Sequence, residues 1–363
     1  MKAVILVGGE ATRLLPLTCN TPKAMVPVFN TPFLEHVIHH LSEHQVRDII
    51  LAQRHLSQPI KGYFGNGSQF GIRLGYTVED APLGTAGAVK NAEKYLDDAF
   101  LVLNGDIFTD LDISAMIGFH QERKAKATIA LTPVDDPTSY GLIETNAQGR
   151  VTRFLEKPRW SEVTTNMINA GTYVLEPEVL NYIPHQANFS FERELFPLLL
   201  DRGEPIYAYP SSAYWIDIGT PEKYFQLHRD LFSGSSTRYS CPGGEEVLVG
   251  EQSYIHPTAQ IRGPAVIGSN CTIGQNVKLI GLVVIGSGGT VLEDTVIEES
   301  IIWRNVQLGQ GVNLRNSVVA DNCCLNDDST IEGSILGDSV TVVGGGKLES
   351  GSKIWPGTTV EAP

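Results

Sequence analysis

Long hydrophobic runs are missing from this 363-residue chain, and their absence excludes a helical span of a bilayer. The opening MKAVILVGG has one positive residue and an apolar run too short for a secretory signal, so the expected location is the cytoplasm. Cations are scarce. With 27 Lys and Arg against 41 Asp and Glu, the formal charge is −14, which argues against nucleic acid or an anionic membrane as a partner. Cysteine is equally sparse. Cys19, Cys241, Cys271, Cys323 and Cys324 show no paired ligand spacing, so no zinc site is implied and the thiols read as reduced. Two common phosphate-binding loops are also missing, the GxxxxGK[ST] form and the GxGxxG dinucleotide turn.

Against that acidic background, Arg13 and Lys23 within residues 3 to 28 stand as local exceptions. Ala3 to Val7 is an unbroken apolar, largely β-branched run, the pattern of a strand covered on both faces of a parallel sheet. Gly8 and Gly9 turn the chain and let backbone N–H groups approach a ligand, a row of donors suited to phosphates. Arg13 offers a planar fork for phosphate oxygens and Lys23 a mobile point charge, enough to hold a triphosphate at two places.

Strand and helix patterns then alternate. Thr31-Pro32 reads as an N-cap and first helical position of a helix reaching about Gln45. His36, His40 and His44 share one face of it, expected to be partly exposed rather than a metal site. Asp48 to Ala52 and Phe100 to Leu103 are the next apolar strands, and the alternation predicts a Rossmann-like doubly wound α/β sheet with ligands at the carboxyl ends of its strands. Leu83-Gly84-Thr85-Ala86-Gly87-Ala88 is a small-residue loop ahead of a helical stretch from Val89 to Leu96, able to lie flat on a base or to pack tightly. Asp106 stands at a strand tip in Asn104-Gly105-Asp106, and Asp217 at another in WIDIGTPE, with Thr220 and Pro221 opening the next helix. Two carboxylates together with phosphate oxygens form a shell suited to Mg²⁺.

In this order the strings GGxxTRLxPLT, PKxMxPV, LGTAG, NGD, YG, EKP, NAG and DIGTPEKY resemble those of the sugar-1-phosphate nucleotidyltransferases. One departure is Ala11, where that family usually has Gly. The resemblance implies nucleotide binding by Gly8, Gly9, Arg13, Lys23, Glu79, Gly84, Thr85 and Asp106, with Mg²⁺ on Asp106 and Asp217. It also implies Glu156 and Asn169 on sugar hydroxyls, Gly141 contacting the sugar through its backbone, and Lys157 on the sugar's phosphate. Glu79 falls at the base-reading position, and a carboxylate suits the N1–H and N2–H₂ edge of guanine better than adenine. Glu192 and Arg193 read as a surface or sugar-side pair. The expected reaction joins a nucleoside triphosphate to a sugar 1-phosphate, with GTP and mannose 1-phosphate ahead of glucose 1-phosphate with ATP, dTTP or UTP. A non-catalytic, nucleotide-sugar-binding regulatory subunit is the rival from another class, supported by Ala11.

Residues 1–232 are thus expected to form the catalytic domain and the turn-rich 233–247 a linker. From 248 to 363 helical periodicity vanishes. Aliphatic residues recur at every sixth place from Ile255 to Ile297 and onward to Val360, with five-residue steps after Ile297, Leu314 and Ile331. One inward aliphatic per six-residue step marks a β-helix, left-handed by resemblance to hexapeptide-repeat proteins. Such coils also form acetyltransferases, which normally use a histidine base; the only histidine here is His256, at the start of the coil. Assembly is the expected role, giving a homo-oligomer.

Overall fold

The computed structural model describes residues 1–9, 11–54, 57–237 and 247–361. Cys241 and residues 238–246 of the expected linker lie outside the described residues. The chain packs as two compact units, one of Met1–Glu10 with Leu34–Asp217 and one of Ala11–Phe33 with Ile218–Pro363.

In the first unit, strands β1 (Lys2–Leu6), β2 (Asp48–Gln53), β3 (Arg73–Val78) and β4 (Phe100–Asn104) lie parallel in the order β4-β1-β2-β3. Their Val, Ile and Leu runs are buried along the middle of β1, β2 and β4, as a sheet covered on both faces requires. The turn strand β5 (Ile107–Thr109) follows, and then the sheet reverses. Strands β6 (Ala127–Pro133), β7 (Gly141–Thr145), β8 (Val151–Glu156) and β9 (Met167–Leu175) add an antiparallel half in which β9 pairs with β4, β6 and β7. Strand β10 (Ile206–Pro210) joins β6 in parallel, and β11 (Trp215–Asp217) pairs with β5. Tyr173, Phe191 and Phe196 fill the core beneath this half.

Three local expectations are corrected. Thr31–Pro32 does not open a helix but forms a two-residue ladder with Pro27–Val28. The turn residues Phe29 and Asn30 both have left-handed φ, 49° and 66°, as a tight hairpin demands, so helix α1 begins only at Phe33 and runs Phe33–Glu43. His36 and His40 are buried rather than partly exposed, because they share the inner stripe with Leu34, Val37, Ile38 and Leu41. His40 Nε2 lies 2.9 Å from the Leu111 carbonyl oxygen, and no group of three or more metal-ligating side chains exists among the described residues. Leu83 to Ala88 is not a loop ahead of a helix from Val89. Helix α2 spans Gly84–Asn91, because the Phe189 carbonyl accepts from the N–H groups of Ala86 and Gly87 and so caps its first turn.

In the second unit, helix α3 (Pro221–Ser233) starts as expected, with Thr220 Oγ1 accepting from Lys223 N and Pro221 at the first position. Beyond it runs a left-handed parallel β-helix. Its inward aliphatics fall into three columns, one per face. Ile255, Ile273, Val291, Leu308, Leu325, Val342 and Val360 form one. Ile261, Leu279, Ile297, Leu314, Ile331 and Leu348 form the second. Ile267, Ile285, Ile302, Val319, Leu336 and Ile354 form the third. Coils repeat at 18, then 17 and at the end again 18 residues; the shortened steps all lie between the second and third columns. No helix is long and apolar enough to cross a membrane among the described residues.

Candidate active site

The carboxyl ends of β1, β2 and β4 converge on one edge of the first unit, where the register of three parallel strands leaves the loops after Leu6, Gln53 and Asn104 side by side. Gly8 and Gly9 follow β1 there. Gly105 closes the turn after β4 and donates its N–H to the Leu6 carbonyl at 3.0 Å. A Cβ at Gly105 would stand 2.7 Å from that carbonyl oxygen and from Val7 Cγ1, so only glycine lets the turn pass the end of β1. The turn delivers Asp106.

Asp217 arrives from the opposite direction. In the β5–β11 pair its register partner is Ile107, the residue after Asp106, so the two carboxylates spring from neighbouring backbone positions. Asp217 is buried, and Tyr140 donates its hydroxyl to Asp217 Oδ2 at 2.8 Å. Tyr140 also meets Trp215 edge to face, with ring centroids 5.5 Å apart, and Trp215 Nε1 donates to the Ala170 carbonyl at 3.0 Å. The donor set is two hard carboxylates, which fits a Mg²⁺ that takes one or two protein carboxylates and completes its shell with phosphates and water.

Glu79 follows β3 and is half-buried. Burial raises its carboxyl pKa, against the opposing pull of a 3.1 Å hydrogen bond from Leu83 N and of the Arg54 charge. Arg54, just after β2, is a cation that motif reading passed over; the parallel pairing that ends at Gln53 and Val78 brings its charge near Glu79. Gly84 and Gly87 face the backbone of residues 187–189, with Phe189 O and Ala187 O only 2.7 and 2.6 Å from where their side chains would begin. Close packing accounts for both glycines.

On the antiparallel half, Gly141 and Glu156 are register partners across β7 and β8. A Cβ at Gly141 would lie 3.0 Å from Glu156 Oε2, so the backbone of one and the carboxylate of the other share one small space. Burial, and then the nearby charge of Glu192, raise the Glu156 pKa. Asn169 Nδ2 donates to the Tyr173 hydroxyl at 2.8 Å while its Oδ1 accepts from Gly171 N at 2.9 Å. The Tyr173 hydroxyl donates in turn to Glu192 Oε1 at 3.2 Å, and Thr85 Oγ1 donates to Glu192 Oε2 at 3.1 Å. Glu192 therefore links the α2 turn to the Asn169 network, while Arg193 beside it is exposed. Lys157, also exposed, holds a left-handed φ of 51°, and its N–H bonds to the Tyr140 carbonyl at 3.0 Å.

The first unit thus brings together Gly8, Gly9, Glu79, Asp106 and Asp217 at strand ends, and Gly141, Glu156, Lys157 and Asn169 on the antiparallel half. Arg13 and Lys23 belong to the Ala11–Phe33 segment of the second unit. Each sits in a short 3₁₀ turn, Thr12–Leu14 and Lys23–Met25. Ala11, at the start of the first, is left-handed with φ 48° and ψ 37°, a conformation glycine adopts more readily.

Comparison with known proteins agrees with this arrangement. Residues 2–234 match the nucleotidyl transferase family, and residues 246–281 match the bacterial transferase hexapeptide repeat. The chain is 37% identical to a mannose-1-phosphate guanylyltransferase of Mycobacterium tuberculosis over 285 residues, 78% of this chain and 79% of that one. It is 34% identical to a UTP–glucose-1-phosphate uridylyltransferase of Synechocystis sp. over 345 residues, 90% of this chain and 89% of that one. Among solved structures, HddC from Yersinia pseudotuberculosis complexed with GMP-PN superimposes with a TM-score of 0.55 at 33% identity, covering 63% of this chain and 98% of HddC. With strand-end glycines, paired aspartates and a hexapeptide β-helix all in place, the chain belongs to the nucleotidyl transferase family.

Proposed function

We propose that the protein transfers a nucleotidyl group from GTP to mannose 1-phosphate, releasing pyrophosphate and forming GDP-mannose. The observation that carries the reaction class is the pairing that sets Asp217 opposite Ile107, next to Asp106. The choice of base rests on Glu79, an acceptor-only carboxylate that suits the guanine edge. The bond formed joins the sugar-phosphate oxygen to the α-phosphorus, and the bond broken releases pyrophosphate, with no covalent enzyme intermediate.

In this reading Gly8 and Gly9 present backbone N–H groups to the triphosphate, and Arg13 and Lys23 neutralise its charge. Asp106 and Asp217 would hold Mg²⁺, which when bound supplies charge neutralisation on phosphate oxygens. Gly84 and Thr85 border the nucleoside, Gly141, Glu156 and Asn169 hold the sugar hydroxyls, and Lys157 steers the attacking phosphate. The same reading places the protein in the cytoplasm as a homo-oligomer assembled through the β-helix.

A second reading, uridylyl transfer to glucose 1-phosphate, draws on the Synechocystis relative, whose similarity extends over 90% of the chain. Pyrophosphate release with Mg²⁺, crossing GTP, ATP, dTTP and UTP with mannose 1-phosphate and glucose 1-phosphate, separates the two. A dominant rate with UTP and glucose 1-phosphate would select the second reading. Silence with every pair, from folded protein, would favour a regulatory subunit and point to Ala11. Lys23→Ala and Asp217→Ala should each lower kcat roughly 10²- to 10³-fold.

A further inference from the structure

Asp338 is an oddity in the β-helix. It is only 9% exposed, and its Oδ1 has no hydrogen-bond partner among the described residues. A buried carboxylate left half-satisfied is costly and calls for a reason. Its neighbour Asp321 adds a like charge and only partly offsets it by turning a backbone N–H toward the carboxylate, while Arg304, whose charge favours the ionised form, is committed to a 2.6 Å ion pair with Asp321. At its other oxygen Asp338 meets Asn20, whose Nδ2 donates to Asp338 Oδ2 at 3.1 Å.

Asn20 stands three residues before Lys23, and the far side of the same segment is also tied down. Asn30 Nδ2 donates to the Ile285 carbonyl at 2.9 Å. The Tyr224 hydroxyl of α3 donates to the Pro27 carbonyl and accepts from Trp303 Nε1 at 3.2 Å. Phe29 N donates to His228 Nε2 at 3.4 Å. Lys23 therefore rides on a short span between two anchors, and the anchor on its N-terminal side is the Asn20–Asp338 bond.

We propose that Asp338 is a positioning residue for nucleotidyl transfer, acting through Asn20 to fix the span that carries Lys23. The β-helix is then a working part of triphosphate handling as well as a scaffold. The inference rests on the reading of Lys23 as a triphosphate ligand, and two measurements keep the two ideas apart.

The first is steady-state kinetics on the full chain with GTP, mannose 1-phosphate and Mg²⁺, for Asn20→Ala, Asp338→Ala, the double variant and Asp338→Asn. Asn20 is exposed, so its alanine variant should fold even if Asp338→Ala does not. Expected is a fall in kcat/KM for GTP of roughly ten- to a hundredfold in each alanine variant, with KM for mannose 1-phosphate unchanged. The double variant should be no worse than the singles, and Asp338→Asn, whose amide oxygen can still accept, should recover most of the loss. The second is hydrogen exchange of residues 20–26 without substrates, which should quicken in Asn20→Ala while the coils beyond keep their protection. Full activity in folded Asn20→Ala, multiplicative losses in the double variant, or unaltered exchange in residues 20–26 would each overturn the proposal. Wild-type protein inactive with every substrate pair would remove the reading of Lys23 and the proposal with it, whereas altered kinetics in Lys23→Ala but not in Asn20→Ala would remove the proposal alone.

Discussion

Tyr140 illustrates how much of the site turns on single hydroxyls. Its O–H holds one oxygen of Asp217 at 2.8 Å, and partners of this kind orient metal-binding carboxylates. Tyr140→Phe should weaken Mg²⁺ activation roughly ten- to a hundredfold, read as the shift in the Mg²⁺ concentration giving half-maximal pyrophosphate release. Glu156 makes a different point. Burial and Glu192 raise its pKa in the folded protein above the usual 4.5. A raised pKa means that its contribution to stability is fully present below the unfolded value and is lost as pH rises through the folded one. Glu156→Gln cannot ionise, so it should match wild type in urea unfolding near about pH 4 and exceed it near about pH 7. Equal midpoints at both values would refute the burial argument. Asp106 and Asp217 were legible in the sequence because each ends an apolar strand run. Tyr140 and Arg54 were not, since their roles depend on which strands become neighbours, and no local pattern encodes a register between segments so far apart.

Elements were legible where period and punctuation agree. The parallel strands of the first unit announce themselves as β-branched runs, and Thr220-Pro221 marks the start of α3 at the right residue. Two misreadings have different causes, one a tertiary partner and the other a competing local turn. The Phe189 carbonyl caps α2 one turn earlier than its sequence suggests, and the Phe29-Asn30 hairpin absorbs the Thr31-Pro32 pair that looks like a helix start. The β4–β5 turn is the element most exposed to a small change. Gly105→Ala would press a methyl against the Leu6 carbonyl and Val7, costing about 1–3 kcal/mol in denaturant unfolding and displacing Asp106. Near-wild-type stability and rate would mean that the turn relaxes freely.

For the whole molecule, the β-helix was the most legible part, because one inward aliphatic per step is a signal that each coil repeats. All of the aliphatics named from the period line one continuous core, with Ile255, Ile261, Ile354 and Val360 only partly buried at its two ends. The alliance of residues 11–33 with that β-helix was invisible, since Asn20 and Asp338 are separated by 318 positions. Ile285, Trp303 and Asp338, which hold this segment, all stand at or just after third-column positions on different coils. A segment fastened across stacked coils has a mechanical consequence. Pulled from its C-terminus, the chain should peel away a coil at a time, each of about 17 residues releasing about 60 Å of length. The bonds that fasten this segment run from Ile285 and Asp338 and, through Tyr224, from Trp303, so the coil bearing Ile354 and Val360 should yield first, and the force should climb when the rupture reaches Asp338. An optical-trap record with equal force at every step would show that the segment lies on the coils without bracing them.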